Sequence, residues 1–185
     1  FSSVRDLAVA LHQVQDRVLS KETPLVVFDE FDTSLNQEAW GWLKYFLAPM
    51  QDGNFKEGDS TYRIGRAIFL FVGGISHTFH EFAVKNRELN TFKEAKGPDF
   101  VSRLRGHLDI EGINHVAGQD RAAIILRRAI ILRQLIEQHL GFIIDPATKI
   151  ARIEPEVIRA FLGVDAFEHG VRSMEAIVEM SHISP

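Results

Sequence analysis

The chain has 185 residues, with 21 Lys+Arg against 25 Asp+Glu, a formal net charge of -4 and 45% apolar residues. This is an ordinary globular composition, enough for one domain or two small ones. Its mildly acidic balance gives no support to broad, phosphate-driven nucleic-acid binding. The absence of cysteine excludes disulfides, cysteine nucleophiles and Cys-ligated zinc. No apolar run is long enough to span a bilayer, so no membrane partner is expected and a cytoplasmic location fits. A start at Phe1, with no signal-like apolar core, suggests a piece of a longer chain.

Residues 3–19 read as an amphipathic helix, with Val4, Leu7, Ala8, Leu11, Val14 and Val18 at helical spacing. Ser3 and Asp6 give its start the Ser-x-x-acid pattern of a cap. Residues 25–28 form a wholly apolar, β-rich run of the kind buried on both faces in a parallel sheet. A helix is expected over 36–47, with Trp40, Leu43 and Leu47 on one side and Pro49 ending it. Asp52-Gly53 and Glu57-Gly58 predict a hairpin within 51–66. Residues 67–72 (AIFLFV) are a second apolar strand, stopped by Gly73-Gly74. A helix over 77–87 and a third strand near 107–110 follow.

The character changes near Gly118. Residues 120–140 make a long helix, Asp145-Pro146 a turn, and Pro155 opens a helix running to Leu162. A last helix covers 170–181, with Val171, Met174, Ile177 and Val178 inward. The expected organisation is an α/β part over 1–117 and a helical part over 118–185.

The run 24–30, PLVVFDE, carries the most chemistry. Four apolar residues followed by Asp-Glu are the Walker B pattern. In open α/β sheets, ligands sit at the carboxyl ends of the strands. An acid at such an end can hold Mg²⁺ against nucleotide phosphates, and an adjacent carboxylate can orient and deprotonate water. Asp29 is then the magnesium residue and Glu30 the base. The plain alternative is a strand end with two acids in solvent.

The order of later features resembles an AAA+ ATPase module of the Clp-like or MoxR-like kind. Residues 46–74 are similar to the segment between Walker B and sensor 1 in that family. The strand ends in Gly73-Gly74 rather than the family's Asn or Thr, so the resemblance puts sensor 1 at Ser76, with His77 or Thr78 as substitutes. Phe100-Val101-Ser102-Arg103-Leu104 is similar to the stretch holding the arginine finger, which assigns that role to Arg103, with Arg105 second. The alternative is that either arginine pairs with Asp99 or Asp109. Gly170-Val171-Arg172 resembles the sensor 2 motif, which makes Arg172 a phosphate contact and Gly170 the close-approach position.

No Gly-x-x-x-x-Gly-Lys-Ser/Thr loop occurs. The resemblance therefore implies a partial parallel P-loop-NTPase-type sheet with its first two strands missing, followed by an all-helical lid. It implies ATP and Mg²⁺ as cofactors of the complete module, little or no hydrolysis by these residues alone, and remodelling of an unidentified macromolecule by a ring or other homo-oligomer. A missing central strand would leave a costly edge, closed by rearrangement or by a second copy.

Two other readings stand beside this one. One is a non-hydrolysing switch or scaffold of the same superfamily. The other is a Mg-dependent phosphoesterase built on Asp29, Glu30 and Asp32. His77, His80 and Glu81 lie close enough in sequence for metal ligation but lack further ligands, and read as solvated or capping groups. Arg121, Arg127, Arg128 and Arg133 read as the wet face of the long helix. Trp40, Trp42, Tyr45 and Phe46 read as core or interface.

Overall fold

A computed structural model describes residues 2–116, 118 and 120–181. The chain is mixed α/β and divides into two compact units, Phe1–Ile110 and Glu111–Pro185. The division falls before the change of character at 117/118, because Ile113 is already part of the second unit's core. Asn114 exchanges two hydrogen bonds with the Phe167 backbone there, at 2.7 and 2.8 Å.

In the first unit, α1 (Val4–Leu19) begins at the expected capping box. The Ser3 hydroxyl accepts from Asp6 N–H, and the Asp6 carboxylate accepts from Ser3 N–H at 2.9 Å. Leu7, Ala8, Leu11 and Val14 form its buried stripe. Next comes β1 (Leu25–Asp29). The expected helix over 36–47 does not form across its first half. Asn36, Gln37 and Trp40 take φ of 50°, 67° and 55° in a tight loop that buries Leu35 and Trp42. The helix α2 is instead Leu43–Asp52, with Pro49 inside it and Gly53 (φ 61°) closing it. Proline removes one intrahelical N–H, and burial of its ring against the unit offsets that loss over the single remaining turn.

The predicted hairpin is present. Strands β2 (Asn54–Glu57) and β3 (Ser60–Arg63) pair antiparallel, Glu57 opposite Ser60. Gly58 takes φ 56° at the first position of the two-residue turn, a region glycine enters without steric cost. After it, β4 (Ile68–Val72) pairs parallel with β1, in register from Leu25↔Ile68 to Asp29↔Val72. Short helices α3 (Phe79–Ala83), α4 (Asn90–Glu94) and α5 (Gly97–Val101) complete the unit. Gly97 has to be glycine, since a Cβ would run into the Phe92 ring. No strand forms at 107–110. Leu108 and Ile110 are each 82% exposed, and the segment joins neither of the two-stranded sheets.

The core of this unit is largely phenylalanine. Phe28 stacks on Phe71 with centroids 5.2 Å apart, Phe31 on Phe100 at 5.3 Å, and Phe46 and Phe82 meet the same cluster. Trp42 and Phe46 are buried, as the core reading of that aromatic group expected. The parallel pairing of the two apolar runs is as expected, but their burial is one-sided. Phe28 is buried and Val26, Phe69 and Phe71 pack behind it, while Leu25, Val27, Ile68, Leu70 and Val72 are exposed on the opposite face. Two strands are too few to bring a second layer over that face.

In the second unit, α6 (Arg121–His139) is capped by Asp120, whose carboxylate accepts from Ala122 N–H at 3.0 Å. It packs with α7 (Pro155–Gly163) and α8 (Val171–Met180). Leu132, Leu135, Ile136, Met174 and Val178 form the core. Val171 and Ile177, expected inward, are exposed. Asp145 makes the expected turn, accepting N–H groups of Ala147 and Thr148. Those bonds, Thr148's first, hold its carboxyl below the ordinary aspartate range. Among the described residues no helix is long and apolar enough to cross a membrane.

The wet-face reading of the α6 arginines fails at Arg128, which is only 3% exposed. Its guanidinium donates to the carbonyls of Ile113 (2.7 Å), Leu162 (3.0 Å), Val164 and Asp165, and lies over the Phe167 ring. It therefore joins the segments before and after α6 and α7 through their backbones. Arg127 pairs with Glu111, and Arg133 with Glu137.

Two stability experiments follow from this packing. Phe28→Ala should cost about 3–5 kcal/mol in urea unfolding, as core aromatic truncations do, whereas Val27→Thr, on the bare face, should stay within about 0.5 kcal/mol. Arg128→Ala strands these carbonyls and should cost about 1–3 kcal/mol, and Arg128→Lys should not restore it, because a point-like ammonium cannot span these carbonyls. Wild-type stability in Arg128→Lys would rule out the fork as the stabilising element.

Candidate functional site

The three acids around the end of β1 have different fates. Asp29 is the last strand residue, and its side chain is exposed; one oxygen accepts Glu30 N–H at 3.1 Å. Glu30 is exposed and takes φ 52°, a turn away from the strand direction. That left-handed step is uncommon for a residue with a Cβ, and it turns the chain back so that Phe31 N–H reaches Val72 O at 3.4 Å. Gly74 lies beside Glu30, with a Cβ there 3.8 Å from Glu30 Cγ.

Asp32 is only 1% exposed. Its carboxylate accepts N–H groups from Gly74 (3.0 Å), Ile75 (3.0 Å) and Ser76 (3.4 Å). This bond set ties the exit of β1 to the exit of β4. Gly73 has no Cβ because one would sit 3.2 Å from the Asp32 carboxylate and from the Phe31 ring. Three donors occupy this carboxylate, so it has little left to offer a metal ion. The place of Asp32 in the phosphoesterase reading is thereby weakened. Sequence reasoning treated it as a possible metal acid and missed its backbone role, for which Gly73-Gly74 was the only signal.

Ser76 lies in that same tied loop, its side chain half-buried. Thr78 caps α3, its hydroxyl accepting Glu81 N–H at 3.1 Å. Glu81 returns a bond from His77 N–H at 3.0 Å. The bond from Lys85, with that from His77 second, holds the Glu81 carboxyl below the usual range. Thr78 and Glu81 are thus helix-start groups, and His77 and His80 belong to no metal-ligating group among the described residues.

A groove of ≈ 600 Å³ runs past this loop. One wall is β4 from Phe69 to Val72, continued by Gly73. The other includes Arg103, Arg105, His107 and Asp109, with Ser76 and Thr78 at one end. Asp29 and Glu30 do not line it. Ile68 N–H bonds to Pro24 O, on the β1 side. The alternation of a parallel ladder then turns the backbone groups of Phe69 and Phe71 away from β1, towards the groove.

Arg103 is not free to reach outward in this conformation. Its Nε donates to Gln51 Oε1 at 2.9 Å, Nη2 donates to the same oxygen, and Nη1 donates to Asp99 O. The pairing with an acid considered as the alternative is absent too, since the partners are an amide and a backbone carbonyl. Asp109 instead accepts Phe79 N–H at 2.6 Å, and His107 stacks on the Phe79 ring at 4.0 Å.

Arg172 lies in the second unit, exposed in the first turn of α8. Gly170 precedes it with φ 59° and ψ -133°, a conformation that accounts for glycine by backbone alone. The structure thus gathers Asp29, Glu30 and the Gly73–Ser76 loop in the first unit, sets Arg103 on the groove, and carries Arg172 on a separate unit. Comparison of the chain with protein-family models, curated proteins and solved structures returns no match.

The Asp32 assignment is testable by unfolding. Asp32→Asn keeps the shape but gives up the charge on a carboxylate accepting three N–H groups. It should cost about 1–3 kcal/mol, and amide exchange at Gly74, Ile75 and Ser76 should speed up together. Unchanged exchange at those amides would remove Asp32 from this role.

Proposed function

We propose that the chain carries the magnesium-and-water part of an ATP site of the AAA+ type, within a module that remodels a macromolecule. The observation that supports this most directly is the exposed Asp29-Glu30 pair at the carboxyl end of a parallel strand, beside the loop that leaves the neighbouring strand. In α/β sheets this is where ligands bind, and the two acids have no competing salt-bridge partner among the described residues.

Asp29 offers oxygens to Mg²⁺, a hard cation that takes carboxylate and water. Glu30 would hold a water against a phosphoryl group. Ser76 is the polar group nearest the end of β4 for a γ-phosphate contact. Arg103 would act across a subunit boundary only after leaving Gln51, so subunit assembly would include breaking that contact. Arg172 would contact phosphate from the helical unit. The 185 residues hold no phosphate-cradling Gly-rich Lys loop, so the phosphates would be held by residues outside them.

The experiment is ATP turnover by the complete module, with Glu30→Gln and Asp29→Asn. Glu30→Gln should lower turnover about 10²–10⁴-fold, the range general-base removal carries, while sparing nucleotide binding. Asp29→Asn should raise the Mg²⁺ concentration required. Turnover that survives Glu30→Gln would favour the switch or scaffold reading. Metal-dependent ester cleavage without ATP would favour the phosphoesterase.

A further inference from the structure

The second unit holds a cluster of metal-type donors that the nucleotide reading does not use. His139 is the last residue of α6, and Glu175 and Glu179 stand one turn apart on α8. His139 Nε2 is 3.3 Å from Glu175 Oε1, and His139 Nδ1 is 3.4 Å from Glu179 Oε1. One donor atom from each residue falls within 4.8 Å of the others.

Several physical facts concentrate negative charge at this grouping. Two like charges at i, i+4 on a helix repel. Glu179 lies in the last turn of α8, and His139 closes α6, so the negative ends of two helix dipoles meet two carboxylates. Glu168, a little upstream, is by contrast exposed and in no salt bridge among the described residues. The two carboxylates carry a charge of -2, which one divalent cation cancels.

The spacing of His139 Nε2 and Glu175 Oε1 fits a tetrahedral ion, whereas Glu179 faces Nδ1, the ring nitrogen that such an ion would leave unbound. Bonds of 2.0–2.1 Å to nitrogen and oxygen place neighbouring ligand atoms about 3.4 Å apart. Glu175 already stands at that distance from Nε2. Glu179 has a side chain 55% exposed, so it can swing towards the same ion by rotation of its own torsions.

We propose that His139, Glu175 and Glu179 form a divalent transition-metal site, Zn²⁺ by its one imidazole and two carboxylate ligands, with water completing the shell. Such an ion fastens the end of α6 to α8. The donors come from separate helices already packed through Leu135, Ile136, Met174 and Val178, so binding needs little reordering of the backbone.

The test is calorimetric titration of the full chain with ZnCl₂, paired with Co²⁺ absorption to report coordination. One equivalent should bind. Glu175→Gln, Glu179→Gln and His139→Ala should each weaken it by at least about tenfold, a loss that even outer partners of metal ligands cause. Glu168→Gln and His77→Ala should leave it unchanged. Circular dichroism of the Glu→Gln variants separates loss of ligand from loss of fold. If His139→Ala unfolds, the two folded glutamine variants decide. Absence of a one-equivalent site, or wild-type affinity in both glutamine variants, overturns the proposal. The outcome is independent of the ATP reading, whose acids lie in the other unit.

Discussion

The Asp32 carboxylate ties together the exits of the two parallel strands of the first unit. Two parallel strands make a minimal sheet, and their exits at Asp29 and Val72 would fray without a link. Asp32 supplies it by accepting three successive backbone N–H groups of the 74–76 loop. A buried carboxylate is expensive unless its lone pairs are satisfied. Here the satisfaction is made by backbone N–H groups, so it does not rest on the side chains of Ile75 or Ser76. Everything built at that end depends on this link: the turn at Glu30, the proximity of Gly74, and the start of the polypeptide that reaches α3.

Elements whose cause lies within a few residues were legible in the sequence. The Ser3–Asp6 box, the hairpin turn at Gly58, the Asp120 cap and the proline start at Pro155 each follow from groups that interact along the chain. What failed depended on partners far away in sequence. Residues 107–110 alternate polar and apolar side chains as a strand would, but the segment joins neither sheet. Pro49 was expected to stop a helix, yet burial lets the helix continue for a turn. Arg128 looks like any surface arginine until the carbonyls of 113 and 162–165 fold around it.

The sheet shows the same limit at a higher level. An all-apolar run predicts burial on two faces, but burial requires something to cover each face. Phenylalanines from α2, α3 and α5 cover one side of β1 and β4, while the other side keeps Leu25, Val27, Ile68 and Leu70 in contact with solvent. The backbone groups of Phe69 and Phe71 likewise face a groove with no strand in it. The sequence pattern therefore reports how much cover these strands would accept, not how much they have.

That distinction bears on the acids after β1. In the phosphoesterase reading, Asp29, Glu30 and Asp32 are three candidates for one chemistry, and spacing cannot rank them. Burial and hydrogen bonding do. A carboxylate that spends its lone pairs on three backbone donors serves the fold. A carboxylate that is exposed, at the end of a parallel strand, and bonded at most to its neighbour's N–H keeps its oxygens for a cation or a water. The one that serves the fold also fixes the other two: by joining the ends of β1 and β4, Asp32 holds Asp29 and Glu30 against the Gly73–Ser76 loop. Any phosphate-directed chemistry at Asp29 and Glu30 thus depends on a residue that takes no part in it.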